Sequence, residues 1–297
     1  KVVLNTKSKS ANGIILNPFT GDILAMASIP HFNPNKYYEY DIQNYKNHVI
    51  SDAYEPGSTF KIIPILASLE NNSLLNEKYY CENGVFNLTS KNKLHDHEPH
   101  DSLTIKEIFI HSSNIGISKT VNSLSNIDIY KLCKNFGFGA KTGLPFENES
   151  KGKLRGLNNW SKTSKTYVSI GQEISVTNMQ LALAYCAIAN GGYLLKPNII
   201  KSIKNNHQII YKRKIEPIRQ VINSENSEII LTMLDEVVNF GTAKNLDLNG
   251  YKIGGKTGTA QKYIHGEYSK NEFISSFTSI FPINKPKYVM VVSIDSP

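Results

Sequence analysis

Short apolar segments bounded by turn residues occupy both ends of the chain and predict β-strands there. Residues 13–18 and 22–28 flank a Phe-Thr-Gly turn, a pattern typical of two strands joined by a hairpin. Further strands are predicted towards the other end of the chain, at 252–260, 273–281 and 288–294, with turns at 263–271 and 284–287.

The middle of the chain changes to helical periodicity. Helices are predicted at 61–69, 104–124, 177–190 and 224–240. Thr104 followed by Glu107 is a capping-box pattern that marks the start of the second of these helices. Strands at both ends around a helical middle indicate an α+β fold in one domain, 1–297. We expect an antiparallel sheet built from both ends of the chain, flanked by helices, with an all-helical lobe at about 62–190.

The composition is that of a globular protein, with 40% hydrophobic residues in a chain of 297. The net charge of +8 comes from scattered basic residues, which favours a solvated basic surface over nucleic-acid binding, and no nucleic-acid-binding motif is present. The three cysteines include no Cys-x-x-Cys pair, so they indicate neither a disulfide framework nor a zinc site.

The sequence contains no run of roughly 18 apolar residues, the length a membrane helix needs, and no signal peptide is visible. The chain starts abruptly and ends within a predicted strand. We therefore expect it to be a domain of a longer protein.

Ser58 and Lys61 carry the first candidate chemistry. A Pro-Gly turn precedes Ser58 and an apolar run follows it, which predicts a serine on the first turn of a buried helix. Residues three apart share a helix face, and a desolvated lysine there can take the proton of a serine nucleophile. An N-capping serine with an exposed lysine explains the local pattern equally well. The same spacing recurs at Ser90 and Ser150, where polar surroundings favour exposed loops.

Two further polar motifs occur in apolar surroundings. Ser112 and Asn114 fall within the predicted 104–124 helix, and since buried polar groups need partners, we expect them to face a polar cavity or each other. The segment Lys256-Thr257-Gly258-Thr259 lies on a predicted strand, where the glycine lets a ligand backbone approach closely. The similar Lys-Thr-Gly at 141–143 leads into Leu-Pro and is interpreted as a loop.

The order Ser-x-x-Lys, Ser-x-Asn, Lys-Thr-Gly resembles that of the penicillin-recognising serine acyltransferases. Nearly the whole chain is similar to class B penicillin-binding proteins, most of all the division-specific (septal) peptidoglycan D,D-transpeptidase. The segments that carry this resemblance are 17–28, 55–61, 112–116, 171–177, 181–182, 241–243 and 254–261. The sequence departs from the septal pattern at Glu173, where glycine usually follows Gly-Gln, and at Asn178, where proline commonly follows Val-Thr.

The resemblance implies a ping-pong acyl transfer at a catalytic group of five residues. Ser58 would attack the carbonyl between the two D-alanines of a stem peptide, with Lys61 as the base. Ser112 would relay a proton to the leaving amine. Lys256 would tune the electrostatics, and Asn114 would orient Lys61 and the substrate amide.

The resemblance also implies a binding subsite and a cellular setting. The hydroxyls of Thr257 and Thr259, on either side of Gly258, would bind the terminal carboxylate, and the backbone N–H groups of Ser58 and Thr259 would form the oxyanion hole. β-Lactams would acylate the same serine, and no metal or organic cofactor is expected. The parent protein would hold this domain on the periplasmic or outer face of a bacterial membrane through an N-terminal anchor and pedestal absent here. A membrane glycosyltransferase and divisome proteins would be its partners.

Three other functions use similar motifs: a serine β-lactamase, a non-catalytic β-lactam sensor and a D-alanyl-D-alanine carboxypeptidase. The Ser-x-Asn motif and the Glu55-Pro56-Gly57 lead-in favour the transpeptidase over the lactamase. Turnover of the acyl-enzyme and the identity of its acceptor would separate these functions.

Three histidines and three acidic residues cluster between His95 and Asp101 and raise the question of a metal site. Their spacing fits no helix-borne zinc motif. We interpret this segment as a solvated loop and predict no metal site.

Overall fold

The computed structural model describes residues 2–206, 208–246, 250–264 and 266–297. The strands are β1 (Ser10–Leu16), β2 (Ile23–Ile29), β3 (Lys78–Tyr80), β4 (Val85–Asn87), β5 (Lys93–His95), β6 (Ser102–Thr104), β7 (Lys153–Leu154), β8 (Ile174–Ser175), β9 (Tyr193–Leu195), β10 (Ser202–Asn205), β11 (Gln208–Lys212), β12 (Pro217–Gln220), β13 (Gly254–Ile264), β14 (Glu267–Phe281) and β15 (Tyr288–Asp295). The α-helices are α1 (Val2–Thr6), α2 (His48–Ser51), α3 (Ile62–Glu70), α4 (Ile105–Ile110), α5 (Asn114–Thr120), α6 (Asn126–Asn135), α7 (Ser164–Ser169), α8 (Asn178–Ala189) and α9 (Ser224–Phe240). Within these ranges, no helix combines the length and apolar character needed to cross a bilayer.

A five-stranded antiparallel sheet joins the two ends of the chain. Its strand order is β13-β14-β15-β1-β2, so strands from one end pair with strands from the other. The register of the joining pair runs from Ser10 opposite Asp295 to Leu16 opposite Val289. Hydrogen bonding along this ladder pairs the backbone groups of β1 with those of β15. The predicted α+β fold, with a sheet contributed by both ends and flanked by helices, is confirmed.

Helix α8 is the central core helix, packed against β1, β15 and α9. Every one of its residues is buried, as the nearly uninterrupted apolar run predicts. A capping box starts it: the Gln180 N–H donates to Thr177 Oγ1, and the Thr177 N–H donates to Gln180 Oε1. The Tyr185 hydroxyl donates to the carbonyl of Thr59 over 2.9 Å. The core helix therefore supports the segment that carries Ser58.

The predicted helix at 104–124 is wrong as a single element. Helix α4 begins with the predicted capping box of Thr104 and Glu107 but ends at Ile110, and α5 begins at Asn114. Between them Ser112 has a positive φ of 62°. Serine and asparagine side chains offer the backbone capping hydrogen bonds that compete with helix continuation. The Ser-x-Asn motif thus begins in the turn between two helices, with Ser112 in the turn and Asn114 as the first residue of α5.

The lobe predicted as all-helical also contains short strands. Two-stranded ladders join β3 with β6, β4 with β5 and β7 with β8. The sequence between 71 and 104 is too polar and too interrupted to form a continuous helical stripe, so its backbone groups pair in extended ladders instead.

The predicted turn at 263–271 is too long. The β13–β14 ladder continues to Tyr263 opposite Tyr268 and Ile264 opposite Glu267. The two tyrosine rings lie 5.1 Å apart, a cross-strand aromatic pair of the kind that stabilises sheets. The turn is therefore confined to the residues between 264 and 267, of which His265 lies outside the described residues.

Candidate active site

Ser58 lies on a short 3-10 helix, Gly57–Lys61, that leads directly into α3. Gly57 has φ +55°, and its N–H donates to the carbonyl of Gly171 over 3.1 Å. A Cβ on Gly171 would lie only 2.1 Å from the Gly57 oxygen. On the other side, a Cβ on Gly258 would lie 2.8 Å from the Pro56 oxygen. These close backbone approaches place the serine turn directly against strand β13.

Lys61 is fully buried at the base of the site, with 0% of its surface exposed. Its Nζ donates to Ser112 O (2.5 Å), to Asn114 Oδ1 (2.7 Å) and to Ser112 Oγ (3.3 Å). Burial lowers the Lys61 pKa to about 7, and the negative charge of Asp96 acts in the opposite direction. Among the described residues, the hydrogen bonds of Lys61 Nζ go to Ser112 and Asn114, and none joins it to Ser58. Such bonds often tighten only when substrate binds.

The Ser112 turn is fixed by Asp96, which the sequence pattern indicates only as part of the solvated 95–101 loop. Asp96 accepts hydrogen bonds from Ser113 Oγ (2.5 Å), from the Asn114 N–H (2.6 Å) and from the Ile115 N–H (3.0 Å). Ser113 in turn caps α5 by accepting from the Gly116 N–H. Asp96 therefore fixes the backbone segment that carries Ser112 and Asn114.

Lys256 is also fully buried, and its Nζ has no hydrogen-bond partner among the described residues. The amine lies 5.9 Å from the centre of the Phe109 ring. Burial, with a smaller contribution from the charge of Lys61, places the Lys256 pKa well below its usual value. Lys256 is thus a second buried amine of lowered pKa, and the family resemblance implies an electrostatic role for it.

Thr257 and Thr259 border the open side of the site. On a β-strand alternate residues share a face, so these two hydroxyls lie on one face of β13 and Gly258 on the other. Thr257 Oγ1 lies 2.7 Å from Thr242 Oγ1. Thr242 belongs to the segment 241–243, one of those that carry the family resemblance, and the structure adds it to the site.

A cavity of about 600 Å³ collects most of the predicted residues. It is lined by Ser58, His97, Glu98, His111, Ser112, Asn114, Phe240, Gly241, Thr242, Lys244, Asn245, Thr257 and Thr259. Lys61 does not line the cavity itself but donates hydrogen bonds to two residues that do, Ser112 and Asn114. A serine, a buried amine of lowered pKa and a hydroxyl-lined strand around one cavity can perform nucleophilic acyl transfer.

The two positions that depart from the septal pattern are both used structurally. Glu173 has φ +57°, donates its N–H to Glu55 Oε1 and forms an ion pair with Arg155. Asn178 is buried, accepts from the Tyr54 hydroxyl (2.6 Å) and donates to Ser293 Oγ (2.8 Å). Both residues therefore contact the segment that leads into the nucleophile, Glu173 through Glu55 and Asn178 through Tyr54.

Comparisons with known proteins identify the family of this chain. The family model described as "Penicillin binding protein transpeptidase domain" matches residues 13–297. The chain is 32% identical to a "Peptidoglycan D,D-transpeptidase FtsI homolog" of Mesostigma viride, covering 98% of the chain and 53% of that protein. It is 35% identical to "Stage V sporulation protein D" of Bacillus subtilis, covering 96% of the chain and 45% of that protein. The chain thus spans about half the length of these curated relatives.

Solved structures agree in fold. The transpeptidase domain of penicillin-binding protein 3 from Burkholderia pseudomallei superposes with a TM-score of 0.86 at 28% identity, covering 99% of this chain and 82% of that one. Penicillin-binding protein 3 from Mycobacterium tuberculosis, complexed with aztreonam, gives 0.90 at 27% identity, covering 99% and 68%. The family match over almost the whole chain is decisive, and the chain belongs to the penicillin-binding protein transpeptidase domain family.

Proposed function

We propose that this chain is the catalytic domain of a serine-type peptidoglycan D,D-transpeptidase that crosslinks stem peptides during cell division. The observation that carries the proposal is the meeting of Ser58, Lys61 and the Ser112–Asn114 turn with the Thr257–Thr259 strand at one cavity. The names of the relatives support the reaction, and those named FtsI support the septal role.

In the first half-reaction Ser58 Oγ bonds to the carbonyl carbon between two D-alanines. Its proton passes to Lys61, and the C–N bond to the terminal D-alanine breaks. The leaving nitrogen takes up a proton by way of the Ser112 hydroxyl. A neutral Lys61 amine keeps two N–H donors, which match its two short contacts to Ser112 O and Asn114 Oδ1 and leave a lone pair for the serine proton.

In the second half-reaction an amine of a neighbouring stem attacks the ester carbonyl and the C–O bond to Ser58 Oγ breaks, while the proton that the amine gives up returns to Ser58 Oγ. Backbone N–H groups of Ser58 and Thr259 would stabilise the oxyanion in both steps, each worth about 3–4 kcal/mol to the transition state. The hydroxyls of Thr257 and Thr259 would bind the terminal carboxylate. The chain's own groups and the two stem peptides account for every bond that changes, so the proposed acyl transfer requires no metal or organic cofactor.

A β-lactam would enter by the same chemistry and remain as a stable acyl-enzyme. We further propose that the domain works on the periplasmic or outer face of a bacterial membrane, anchored by a segment outside this chain. A membrane glycosyltransferase and divisome proteins would supply and position its glycan substrate.

Intact-mass spectrometry after exposure to benzylpenicillin tests the nucleophile. The wild-type chain should gain one covalent adduct, and Ser58→Ala should gain none. Ser90→Ala is the matched control, because Ser90 has the same Ser-x-x-Lys spacing on an exposed segment, and it should be acylated normally. An adduct retained by Ser58→Ala would refute the assigned serine.

Two kinetic measurements separate the transpeptidase from the alternatives. Rapid repeated nitrocefin hydrolysis, in place of a single burst, would identify a β-lactamase. With a thioester analogue of the stem peptide, acyl transfer to an added D-amino acid is expected. Release to water alone would indicate a carboxypeptidase, and acylation without any turnover would indicate a sensor domain.

A further inference from the structure

Two histidines and a glutamate from separate segments meet at the wall of the cavity. The ligating atoms of Glu98, His100 and His111 all lie within 4.8 Å of one another. The two imidazole rings are 4.8 Å apart at their centres and inclined by 44°. None of these three residues has a role in the acyl transfer described above, so their meeting needs another explanation.

One ring nitrogen in this group has no hydrogen-bond partner among the described residues. His100 Nε2 is buried and makes no hydrogen bond to the described residues. A buried polar atom left unpaired costs about 1–3 kcal/mol. A bound cation would satisfy it, because neutral imidazole nitrogen is a common metal ligand and the ligand atoms of His100, Glu98 and His111 lie close together.

The backbone holds both histidines in place before any ligand arrives. The carbonyl of His100 accepts from the Asn83 N–H over 3.0 Å, and the N–H of Asp96 donates to the carbonyl of Gly84 over 3.1 Å. His111 ends α4, where its N–H donates to the Glu107 carbonyl over 2.8 Å. Sites built on such fixed backbone lose little conformational entropy when they bind a ligand.

Glu98 supplies the adjustable ligand. Its side chain is exposed, unlike the two partly buried histidines. Tetrahedral zinc ligands at about 2.0–2.1 Å from the metal lie roughly 3.3–3.5 Å from one another. The three ligand atoms lie within 4.8 Å of one another, so a rotamer change at Glu98 and small movements of the two rings would bring them to that spacing.

We propose that Glu98, His100 and His111 form a three-ligand site for Zn²⁺ at the rim of the acyl-transfer cavity. Imidazole with carboxylate suits zinc, and three protein ligands leave a fourth position for water. Glu98 and His111 both line the cavity, and His111 immediately precedes Ser112. The bound ion would therefore lie at the wall of the cavity that receives substrate.

The interpretation of 95–101 as a loop without a metal site considered only ligands within that segment. His111 lies 11 residues beyond His100, on a separate element, and only the fold brings the two together. The proposed site therefore revises that interpretation with a ligand that the spacing could not reveal.

Zinc titration of chelator-treated, tag-free protein tests the site. Isothermal titration should give one Zn²⁺ per chain, and His100→Gln or Glu98→Gln should weaken binding by at least roughly 10–100-fold, the loss that removal of an outer-shell partner alone can cause. His95→Gln is the matched control, since His95 ends β5 just before this loop and its exposed side chain is outside the group, and it should bind as wild type. Equal binding by all variants, or no stoichiometric binding by wild type, would overturn the proposal.

Two further readouts keep the test independent of folding defects and of the proposed reaction. Co²⁺ in place of zinc should give the intense visible absorption of a four-coordinate site in wild type and His95→Gln but not in His100→Gln. Zinc should also raise the thermal midpoint of wild type and leave that of Glu98→Gln unchanged, because a ligand stabilises only a fold that binds it. Neither measurement uses substrate or β-lactam, so its failure would leave the proposed acyl transfer untouched.

Discussion

The side-chain oxygen of Asn114 lies 2.7 Å from Lys61 Nζ and joins two segments 53 residues apart in the chain. The same amine contacts the Ser112 carbonyl at 2.5 Å, so the base and the proton-relay turn are held as one unit. A lysine fixed at both contacts keeps its orientation while its charge changes. This arrangement makes the amine a positioned base within a buried environment.

Asn114→Ala should slow acylation by a β-lactam about 10–100-fold. The variant removes a hydrogen bond to an amine that becomes charged, a contact worth about 1.5–3 kcal/mol, and each 1.36 kcal/mol is tenfold in rate. Stopped-flow measurement of the acylation rate constant checks this. Asn92→Ala, at an exposed Ser-x-Asn outside the site, should match wild type. Equal rates for both variants would show that Asn114 does not orient the base.

The acylation rate should rise with pH through about 7 and then level off. Burial lowers the Lys61 pKa to about 7, and only the neutral amine can accept the serine proton. Below that value the rate should fall about tenfold for each pH unit, because the neutral fraction does so. Measuring acylation from about pH 5 to about pH 9, with circular dichroism to confirm the fold at each point, checks this. A flat profile would exclude Lys61 as the titrating base.

Asp96→Asn should change both stability and the pH profile. Asp96 receives three hydrogen bonds from 113–115, and loss of its charge should cost about 1–3 kcal/mol in the free energy of unfolding. Its charge also raises the Lys61 pKa, so the midpoint of the acylation profile should move to lower pH. A purely structural role would lower stability and leave the midpoint in place. Asp101→Asn, exposed on the same loop, should change neither quantity.

Site residues that lie close together in the sequence could be predicted from it. Site residues that only the fold brings together could not. Ser58 and Lys61 are three apart, and Lys256-Thr257-Gly258-Thr259 is contiguous, so each motif could be identified within a single element. Helix α9 was predicted to the residue because an apolar stripe and a terminal glycine define it.

Asp96, Thr242 and His111 were missed as site residues for the opposite reason. Asp96 acts on a turn 17 to 19 residues away through side-chain hydrogen bonds, and no spacing rule links it to Ser113. Thr242 meets Thr257 only because α9 packs against β13. Sequence periodicity indicates which face of a helix or strand a residue occupies, but it does not indicate which distant element packs against that face.

Gly171→Ala should destabilise the protein more than Gly191→Ala. Both glycines have positive φ, 80° and 84°, so each substitution carries a backbone cost of roughly 1–2 kcal/mol. A Cβ at 171 would also lie 2.1 Å from the Gly57 oxygen, whereas at 191 it would meet nothing within 4 Å. We expect a further loss of at least about 1–3 kcal/mol from this overlap. Urea unfolding of the two variants measures the difference, and equal losses would show that the Gly57 turn can move away freely.

Glu55→Gln should flatten the pH dependence of stability on the acid side of neutrality. Burial is the main cause that raises the Glu55 pKa to about 7, from a usual value of 4.5. Between these values the folded chain keeps a proton that the unfolded chain releases, so stability falls as pH rises through this window. Glutamine keeps an oxygen to accept from the Glu173 N–H and the Tyr268 hydroxyl, without an ionisation to oppose folding.

The free energy of unfolding, measured by urea titration at about pH 5 and about pH 8, gives the required comparison. Subtracting the wild-type change from that of Glu55→Gln isolates Glu55, because all other groups titrate in both proteins. The variant should gain stability relative to wild type at the higher pH and gain little at the lower one. Glu267→Gln, an exposed carboxylate near Tyr268 on β14, serves as control and should follow the wild-type curve. If Glu55→Gln also follows it, the Glu55 carboxylate ionises in the folded chain as readily as in the unfolded one.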